Sequence, residues 1–343
     1  MDIQHAIPLL IDGQHLTQEQ ARAVTEQIMS GQATDAQIGA YLVALRIKGE
    51  TVDEITGSAQ AMRSKALSLS VPGRLLDTCG TGGDAAGTFN ISTTAAFVVA
   101  AQGVVVAKHG NRAISSKSGS ADLLTALGVN IDAEPPVVQR CLAEAGIGFL
   151  FAPRYHSAMR HVAGPRRELA VRTIFNLLGP LTNPANAPFQ LMGLFAAHWL
   201  EPIAHVLGRL GLSHALVVHG SDGLDEITTT GPTQVAELEE GGRVHTYTVE
   251  PEQFGLPRAR LADLQGGDAQ ANAAITRRVL SGERGAQRDI VLLNAGAALY
   301  AARQAASLAD GIEMAVAAID SGRAMQSLER LVALSNQPVP VRP

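Results

Sequence analysis

The sequence has few aromatic residues, two cysteines and no long hydrophobic run, and each shortage excludes a class of protein. Phe, Trp and Tyr make up 4% of the 343 residues, so the core must consist mainly of aliphatic side chains. Cys79 and Cys141 cannot form a disulfide framework or a cysteine-rich metal cluster. No stretch approaches about 18 uninterrupted apolar residues, and the N-terminal MDIQHAIPLLIDG lacks the features of a signal peptide. We therefore predict a cytoplasmic protein with no membrane partner.

The sequence also has fewer positively than negatively charged residues. Lysine and arginine total 27 against 32 aspartates and glutamates, which gives a formal net charge of −5. A protein that coats nucleic acid or binds an anionic membrane needs an excess of positive charge. We therefore predict no nucleic-acid partner. An anionic ligand would have to be held by local cations and backbone N–H groups.

The first 72 residues carry the signals of helices in series. Thr17, Thr34 and Thr51 are each followed three positions later by Gln or Glu, which is the capping-box pattern of a helix N-terminus. These signals predict an all-helical domain over residues 1–72. We also expect a helical segment around residues 165–185 to join this domain. Its predicted role is packing or dimerisation.

From residue 73 onward, short apolar runs alternate with helical patterns. The runs RLLDTCG, VVVAKHG, GIGFLFAP, FQLMGLF and HALVVHG each lead into a loop and then a helix. This alternation predicts a large α/β domain over residues 73–343 with a mostly parallel central sheet. TQVAELEEGGRVHTYTV predicts an antiparallel hairpin, and the Ala-rich sequence after Gly267 predicts covering helices. Ligands of such sheets bind beyond the carboxyl ends of the strands, where the unusual loops of this chain occur.

The loop GTGGDAAGTFNIST, after the first strand, is unusually rich in glycine. Glycines let backbone N–H groups approach phosphate oxygens, and the N-terminus of the next helix adds a positive dipole end. Ser92 and Thr93 can cap that helix or turn their hydroxyls towards an anion or its metal. Because a tight turn needs fewer glycines than this, the pattern favours phosphate binding.

The same loop satisfies the dinucleotide-binding pattern G-x-G-x-x-G/A. That alternative requires an acidic residue about 20 positions further on, at the end of the second strand, to bind a ribose hydroxyl. The second strand ends instead in Lys108, and no acidic residue occurs between Asp84 and Asp122. This difference favours a phosphate ligand over a nicotinamide cofactor.

Two further loops complete the candidate site. KHGNRAISSKSGSADLLTALG, after the second strand, mixes Lys108, Arg112 and Lys117 with serines, a composition suited to binding anions, and Ser120 can cap the helix that follows. HGSDGLDEITTTGP places Asp225 and Glu226 side by side after another strand. An acidic pair in a turn is common, but hard carboxylate oxygens next to phosphate groups indicate Mg²⁺.

A fourth segment, FAPRYHSAMRHVAGPRRELAVRTIFNLLGPLTNP, is rich in arginine. One arginine facing the cleft could hold a carboxylate through two hydrogen bonds, while the others are expected on a solvated face. His109 and His156 are candidate general bases, although an isolated histidine is more often structural.

Together these motifs resemble the anthranilate phosphoribosyltransferase family over nearly the whole chain and in the same order. The matching segments are GTGGD…TFNIST, KHGNRAISSKSGSADLL.ALG, FAP.YH.AMRHV…R, RTIFNLLGPLTNP and HG.DGLDEIT. The resemblance implies a fold of the nucleoside phosphorylase/phosphoribosyltransferase type and a homodimer formed through the helical domain. It also implies transfer of the phosphoribosyl group from 5-phosphoribosyl-1-diphosphate to anthranilate, with Mg²⁺, in tryptophan biosynthesis.

The resemblance further implies which residues bind. It places phosphoribosyl diphosphate against Gly80, Gly83, Asp84, Thr88, Asn90, Ile91, Ser92, Thr93, Lys108, His109, Gly110, Asn111, Arg112, Ala113, Ile114, Ser115, Ser116 and Ser120. Anthranilate would contact Gly80, Asn111 and Arg166, with Arg166 facing the carboxylate. Mg²⁺ would be held by Ser92, Asp225 and Glu226, and the catalytic residues would be Lys108, Asp225 and Glu226.

Three other functions stay open at this point. A nucleoside phosphorylase of related architecture would cleave thymidine or uridine with free phosphate. A nucleic-acid-binding relative of the same fold is disfavoured by the net charge and by the intact acidic pair. A dehydrogenase is disfavoured by Lys108 at the end of the second strand.

Overall fold

The structure is a computed structural model that describes residues 1–71, 73–83, 86–113 and 117–338. It begins with four helices: α1 (Ile3–Ile11), α2 (Gln18–Met29), α3 (Asp35–Lys48) and α4 (Val52–Lys65). The three predicted capping boxes are confirmed, because the Thr17, Thr34 and Thr51 hydroxyls each accept the predicted backbone hydrogen bond, and the Gln or Glu side chain accepts one in return.

The rest of the chain is built around a seven-stranded sheet with the order β3-β2-β1-β4-β5-β6-β7. The strands are β1 (Leu75–Gly80), β2 (Val105–Gly110), β3 (Ile147–Phe151), β4 (Phe189–Gly193), β5 (His214–Gly220), β6 (Thr233–Leu238) and β7 (Val244–Val249). Strands β1 to β5 pair in parallel, whereas β6 is antiparallel to both β5 and β7. The predicted α/β fold and the predicted hairpin are confirmed.

Helices cover both faces of the sheet. They are α5 (Ile91–Ala100), α6 (Ser120–Leu127), α7 (Pro135–Ala145), α8 (Ala152–Tyr155), α9 (Arg160–Leu169), α10 (Phe175–Leu178), α11 (Leu200–Arg209), α12 (Ala269–Leu280), α13 (Ala286–Ala301), α14 (Leu308–Asp320) and α15 (Arg323–Ser335). Alternate residues of β5 point into two cores: Leu216 packs in the core of α5 and α13, and Val217 in the core of α11 and the N-terminal helices. None of the helices in the described ranges is long and apolar enough to cross a membrane.

The strand order creates a switch point between β1 and β4. From β1 the chain moves outward through β2 to β3, and it then returns to the other side of β1 to form β4. Loops that leave neighbouring strands in opposite directions open a crevice at the carboxyl ends of the strands, where ligands of open α/β sheets bind. Gly80, the last residue of β1, pairs there with Gly193 of β4.

Candidate active site

Loops from the carboxyl ends of β1 and β5 meet beside this switch point. The backbone N–H of Gly82 donates to Asp225 Oδ2 at 2.6 Å, and the N–H of Ser92 donates to Glu226 Oε1 at 3.1 Å. Ser92 lies in the first turn of α5, so the Glu226 carboxylate faces the positive end of that helix dipole. The acidic pair therefore contacts both elements that the sequence predicts to bind phosphate.

Close backbone approach explains two glycines of the site. Asp225 crosses the ends of β1 and β4, where a Cβ on Gly193 would overlap the Asp225 carbonyl oxygen and a Cβ on Gly80 would overlap Asp225 Oδ2. Gly82 and Gly83 have a different reason, because their φ angles of 69° and 77° lie in the left-handed region. Gly80, Gly82 and Gly193 thus bring the main chain against the acidic loop, whereas Gly83 lies against Arg172.

Lys108 lies beneath the crevice, on β2. Its Nζ donates to the carbonyl oxygen of Thr78 at 2.5 Å, and the residue is only 3% exposed. Burial lowers the pKa of Lys108, and the nearby Asp77 and Glu226 carboxylates oppose that shift. Burial also raises the pKa of Asp77 to about 6, with Lys108 acting in the other direction. Lys108 thus brings its charge close to Glu226 from below.

The loop after β2 is organised by Asp122, in the first turn of α6. Asp122 Oδ2 accepts hydrogen bonds from the N–H groups of Ala113 and Gly119, both at 2.9 Å, and Oδ1 accepts one from Arg112 at 3.1 Å. Arg112 therefore folds back onto its own loop. Ser120 Oγ donates to the carbonyl oxygen of Asn111 at 3.3 Å.

Two predicted helix caps are wrong. Gly119, and not Ser120, is the N-cap of α6, because a Cβ at this position would overlap the main chain of Arg112 and Ala113. Asn90, and not Ser92 or Thr93, is the N-cap of α5, and its side chain makes no capping hydrogen bond. Both N-caps therefore lie one to three residues before the positions that the sequence suggests, and tertiary contacts explain the difference.

The other predicted ligands are distributed around the same loops. Thr88 forms an isolated antiparallel bridge with Gln265, and Ile91 and Thr93 are each 1% exposed. His109 and Gly110 end β2. The predicted ligands that lie outside the described residues are Asp84, Ile114, Ser115 and Ser116.

His109 and His156 form a buried pair behind the crevice. Their ring centroids are 5.0 Å apart, and neither Nε2 atom has a hydrogen-bond partner within the described parts of the chain. Burial lowers the pKa of His109 to about 3 and that of His156 to about 4. Both imidazoles are therefore neutral at physiological pH, as expected of structural histidines.

This pair should make the fold less stable as the pH falls. The unfolded histidines take up protons near pH 6.5, whereas the folded ones do so only near pH 3 to 4. Each proton difference lowers the free energy of unfolding by about 1.4 kcal/mol per pH unit in that interval. His156→Gln should flatten the slope measured by urea denaturation between about pH 4.5 and 6.5. His205→Gln, at an exposed site, should leave it unchanged; equal slopes in both variants would contradict the assignment.

Arg166 lies on α9, which packs against α2 and α3. Its guanidinium group is 5.5 Å from the centroid of the Phe175 ring, and burial lowers the pKa of Arg166. Among the described residues, no carboxylate pairs with Arg166. A half-buried arginine stacked on an aromatic ring and lacking a protein carboxylate suits a carboxylate ligand.

Sequence analysis missed a second arginine at the crevice. Arg172 donates to the carbonyl oxygen of Gly83, and its guanidinium lies 4.3 Å from the centroid of the Phe195 ring in the loop after β4. Arg46 of α3 donates in turn to the Arg172 carbonyl oxygen at 2.8 Å. Arg172 thus connects the helical part of the chain to the glycine loop, and its only sequence signal is its place in RTIFNLLGPLTNP.

Another cluster of acidic and histidine side chains lies on β6 and β7. Ligand atoms of Glu237, Glu239 and His245 lie within 4.8 Å of one another. Glu237 already accepts hydrogen bonds from one histidine and two tyrosines, and Glu239 pairs with Arg243. These protein partners account for the cluster.

Comparison with known proteins agrees with this geometry. A family model described as "Glycosyl transferase family, helical bundle domain" matches residues 4–66, and one described as "Glycosyl transferase family, a/b domain" matches residues 72–325. The chain therefore belongs to this glycosyl transferase family.

Individual relatives narrow the assignment. The chain is 60% identical to the anthranilate phosphoribosyltransferase of Paramagnetospirillum magneticum, over 95% of this chain and 94% of the relative. It is 58% identical to that of Rhodospirillum rubrum, over 98% and 97%. The crystal structure of the enzyme from Thermus thermophilus is 48% identical, with a TM-score of 0.92 and coverage of 97% and 99%. Within the family, the chain is an anthranilate phosphoribosyltransferase, which confirms the resemblance of its motifs.

A more distant structure adds information about ligands. The anthranilate phosphoribosyltransferase of Saccharomyces cerevisiae, solved in complex with PRPP and Mg, is 28% identical to this chain. Its TM-score is 0.88, and 97% of each chain is covered. The fold is thus retained at low sequence identity.

Proposed function

We propose that the crevice beside β1 and β4 is where the chain transfers the phosphoribosyl group of 5-phosphoribosyl-1-diphosphate to anthranilate. The products are N-(5-phosphoribosyl)anthranilate and pyrophosphate, in tryptophan biosynthesis. The observation that carries the placement is the contact of Asp225 with Gly82 and of Glu226 with Ser92. It brings an acidic pair against a glycine loop and a helix N-terminus, the combination that a metal-bound diphosphate requires.

The N–H groups of Gly82 and Ser92 bond the acidic pair, so the diphosphate would be held by other main-chain N–H groups of the glycine loop and the start of α5. Ser92, Asp225 and Glu226 would hold Mg²⁺, since hydroxyl and carboxylate oxygens are the ligands that this ion prefers. When bound, the ion would supply positive charge to the diphosphate leaving group. The yeast relative in complex with PRPP and Mg supports this choice of cofactor.

The residues of the crevice suit a displacement that needs no strong base. The neutral aromatic amine attacks C1 of the ribose, the bond from C1 to the diphosphate oxygen breaks, and the amine proton is lost to solvent. Negative charge develops on the departing pyrophosphate, so positioned cations and N–H groups contribute most there. Two unit charges 4 Å apart interact by about 4 kcal/mol at an effective dielectric of about 20. Lys108 and Arg112 are the candidate cations.

A direct assay tests the reaction. Purified protein, Mg²⁺ and 5-phosphoribosyl-1-diphosphate are mixed with anthranilate, and the loss of anthranilate fluorescence is followed. We expect loss only when the donor is present. If the fluorescence persists while thymidine or uridine is cleaved by phosphate, the protein is a phosphorylase instead.

Arg166→Ala should raise the KM for anthranilate about tenfold or more, because a charge-assisted hydrogen bond to a carboxylate contributes about 1.5–3 kcal/mol. The KM for 5-phosphoribosyl-1-diphosphate should change much less. Arg167→Ala is the matched control, because its side chain is exposed on the same helix. Steady-state kinetics with each substrate varied separate the two effects, and equal rises in both KM values would place the acceptor elsewhere.

We also propose the organisation of the whole molecule. Residues 1–72 with the segment around 165–185 would form the helical domain, and residues 73–343 the catalytic α/β domain. Leu178 packs in one core with the N-terminal helices, which supports placing the segment around 165–185 with them. A cytoplasmic homodimer through the helical domain fits the exposed Ile11 and Ile47, at 70% and 81%. Sedimentation equilibrium would measure the dimer.

A further inference from the structure

Asn272 lies where three loop segments of the candidate site come together. It belongs to the first turn of α12 and is 2% exposed. Its Nδ2 donates to Asn90 Oδ1 at 2.9 Å, and its Oδ1 accepts the N–H of Gly267 at 2.7 Å. Both ends of the buried amide are therefore bound to other parts of the chain.

Asn90 links Asn272 to the loop after β2. Its Nδ2 donates to the carbonyl oxygen of Ser118 at 3.1 Å, and the Ser118 hydroxyl donates to Asn90 Oδ1 at 3.3 Å. One chain of hydrogen bonds thus runs from Gly267 through Asn272 and Asn90 to Ser118. The Asn90 side chain is occupied by protein, although sequence analysis predicts it as a ligand of the donor.

The segment before α12 also holds the glycine loop by its main chain. The N–H of Gly266 donates to the carbonyl oxygen of Gly87 at 2.9 Å, and the N–H of Phe89 donates to that of Leu264 at 3.2 Å. Gln265 Nε2 donates to the carbonyl oxygen of Ala86 at 2.9 Å. This segment therefore lies along the glycine loop just before α5 begins.

We propose that Asn272 is a positioning residue for the phosphoribosyl donor. It fixes Asn90, and through Asn90 it sets the distance between the glycine loop and the loop after β2. Removing the amide would leave Asn90 Oδ1 and the Gly267 N–H without this partner, so the two loops would have to be ordered by the ligand instead. The inference rests on the proposed function, because it requires that these loops bind the donor.

Asn272→Ala and Asn272→Asp test the proposal, because they remove different hydrogen bonds. Alanine removes both hydrogen bonds, whereas aspartate keeps an acceptor for Gly267 but loses the donor to Asn90. Thr276→Val is the matched control: Thr276 is also buried on α12, and its hydroxyl bonds that of Thr94 at 2.9 Å. Thr94 donates to the main-chain carbonyl oxygen of Asn90, so this substitution leaves the hydrogen bonds of the Asn90 side chain in place. Calorimetry with 5-phosphoribosyl-1-diphosphate and Mg²⁺ measures donor affinity, and steady-state kinetics give the KM for anthranilate.

Donor affinity should fall about tenfold or more in both Asn272 variants, which corresponds to about 1.4 kcal/mol. The KM for anthranilate should change less than about twofold, and Thr276→Val should bind the donor like the original protein. Amide hydrogen exchange should rise in residues 86–93 and 117–120 only in the Asn272 variants. If the alanine variant does not fold, the aspartate variant carries the same expectations.

The outcomes separate failure of the inference from failure of the proposed function. If the unmodified protein does not bind the donor, the proposed function is wrong. If it binds the donor and the Asn272 variants bind equally well, only the inference is wrong. If Thr276→Val loses as much donor affinity as the Asn272 variants, Asn272 contributes only to general packing. The same conclusion follows if the KM for anthranilate rises as much as donor affinity falls. The inference would also be wrong if the losses of donor affinity in Asn90→Ala and Asn272→Ala were additive in the double mutant.

Discussion

Asp225→Asn combined with Glu226→Gln should lower kcat by at least about a hundredfold while the protein remains folded. The two carboxylates lie against the N–H groups of Gly82 and Ser92, so a cation held by this pair would lie beside both elements that are predicted to bind phosphate. The amide substitutions keep the shape of both side chains but remove two negative charges. The variant should also require more Mg²⁺ for half-maximal activity, as measured by steady-state kinetics over a range of Mg²⁺ concentrations.

The chain contains a matched control for this experiment. Glu239 and Glu240 form another adjacent acidic pair, in the β6–β7 hairpin, and Glu239 pairs with Arg243. Glu239→Gln with Glu240→Gln removes the same charge without touching the crevice, and kcat should stay close to that of the original protein. If the Asp225, Glu226 variant shows near-normal kinetics, and both double variants melt at the temperature of the original protein, Asp225 and Glu226 do not bind the metal.

Gly193→Ala should abolish most of the activity and also lower the melting temperature. A Cβ at this position would overlap the carbonyl oxygen of Asp225, so the main chain of the acidic loop would have to move. A displacement of about 1 Å at a site that depends on position can cost about a hundredfold in rate. The rate of fluorescence loss and a thermal melt would measure both effects.

Gly39→Ala provides the comparison, because Gly39 lies inside α3 and a Cβ there would meet nothing within 4 Å. Alanine should stabilise that helix by up to about 1 kcal/mol, and the activity should not change. If Gly193→Ala retained full activity, the close approach of Asp225 to the end of β4 would not matter for catalysis.

Most of the fold can be predicted because its signals are local. The strands β1 to β5 appear as short apolar runs followed by glycine or polar residues, and Glu-Gly-Gly marks the turn of the hairpin. Thr17, Thr34 and Thr51 begin their helices as predicted because each capping box closes within four residues.

The two wrong caps have a tertiary cause. Ser120 has a good capping side chain, but α6 begins one residue earlier because Gly119 is the residue that fits against the main chain of Ala113. Asn90 precedes α5, and its amide is directed to Ser118 and Asn272 in place of the helix N-terminus. Local propensity cannot predict such a choice, because the competing partners lie elsewhere in the sequence.

The site itself could be predicted only in part. The motifs locate Gly80, Ser92 and the acidic pair, and the structure brings these together, although their assignment as ligands stays a prediction. Arg172 lies in RTIFNLLGPLTNP, but nothing in that segment indicates its contacts, and Asn272 lies in no motif and 182 residues from its partner Asn90. A single sequence does not reveal a hydrogen bond across such a separation.

The late position of α12 has a consequence for how the enzyme is made. A ribosome completes both loops that are predicted to bind the donor early, but it synthesises Gly266 and Asn272, which contact those loops, only after the whole sheet. A nascent chain that stops after β7 therefore has every predicted ligand and still lacks their support. The affinity for the donor should therefore reach its full value only once α12 has emerged from the exit tunnel.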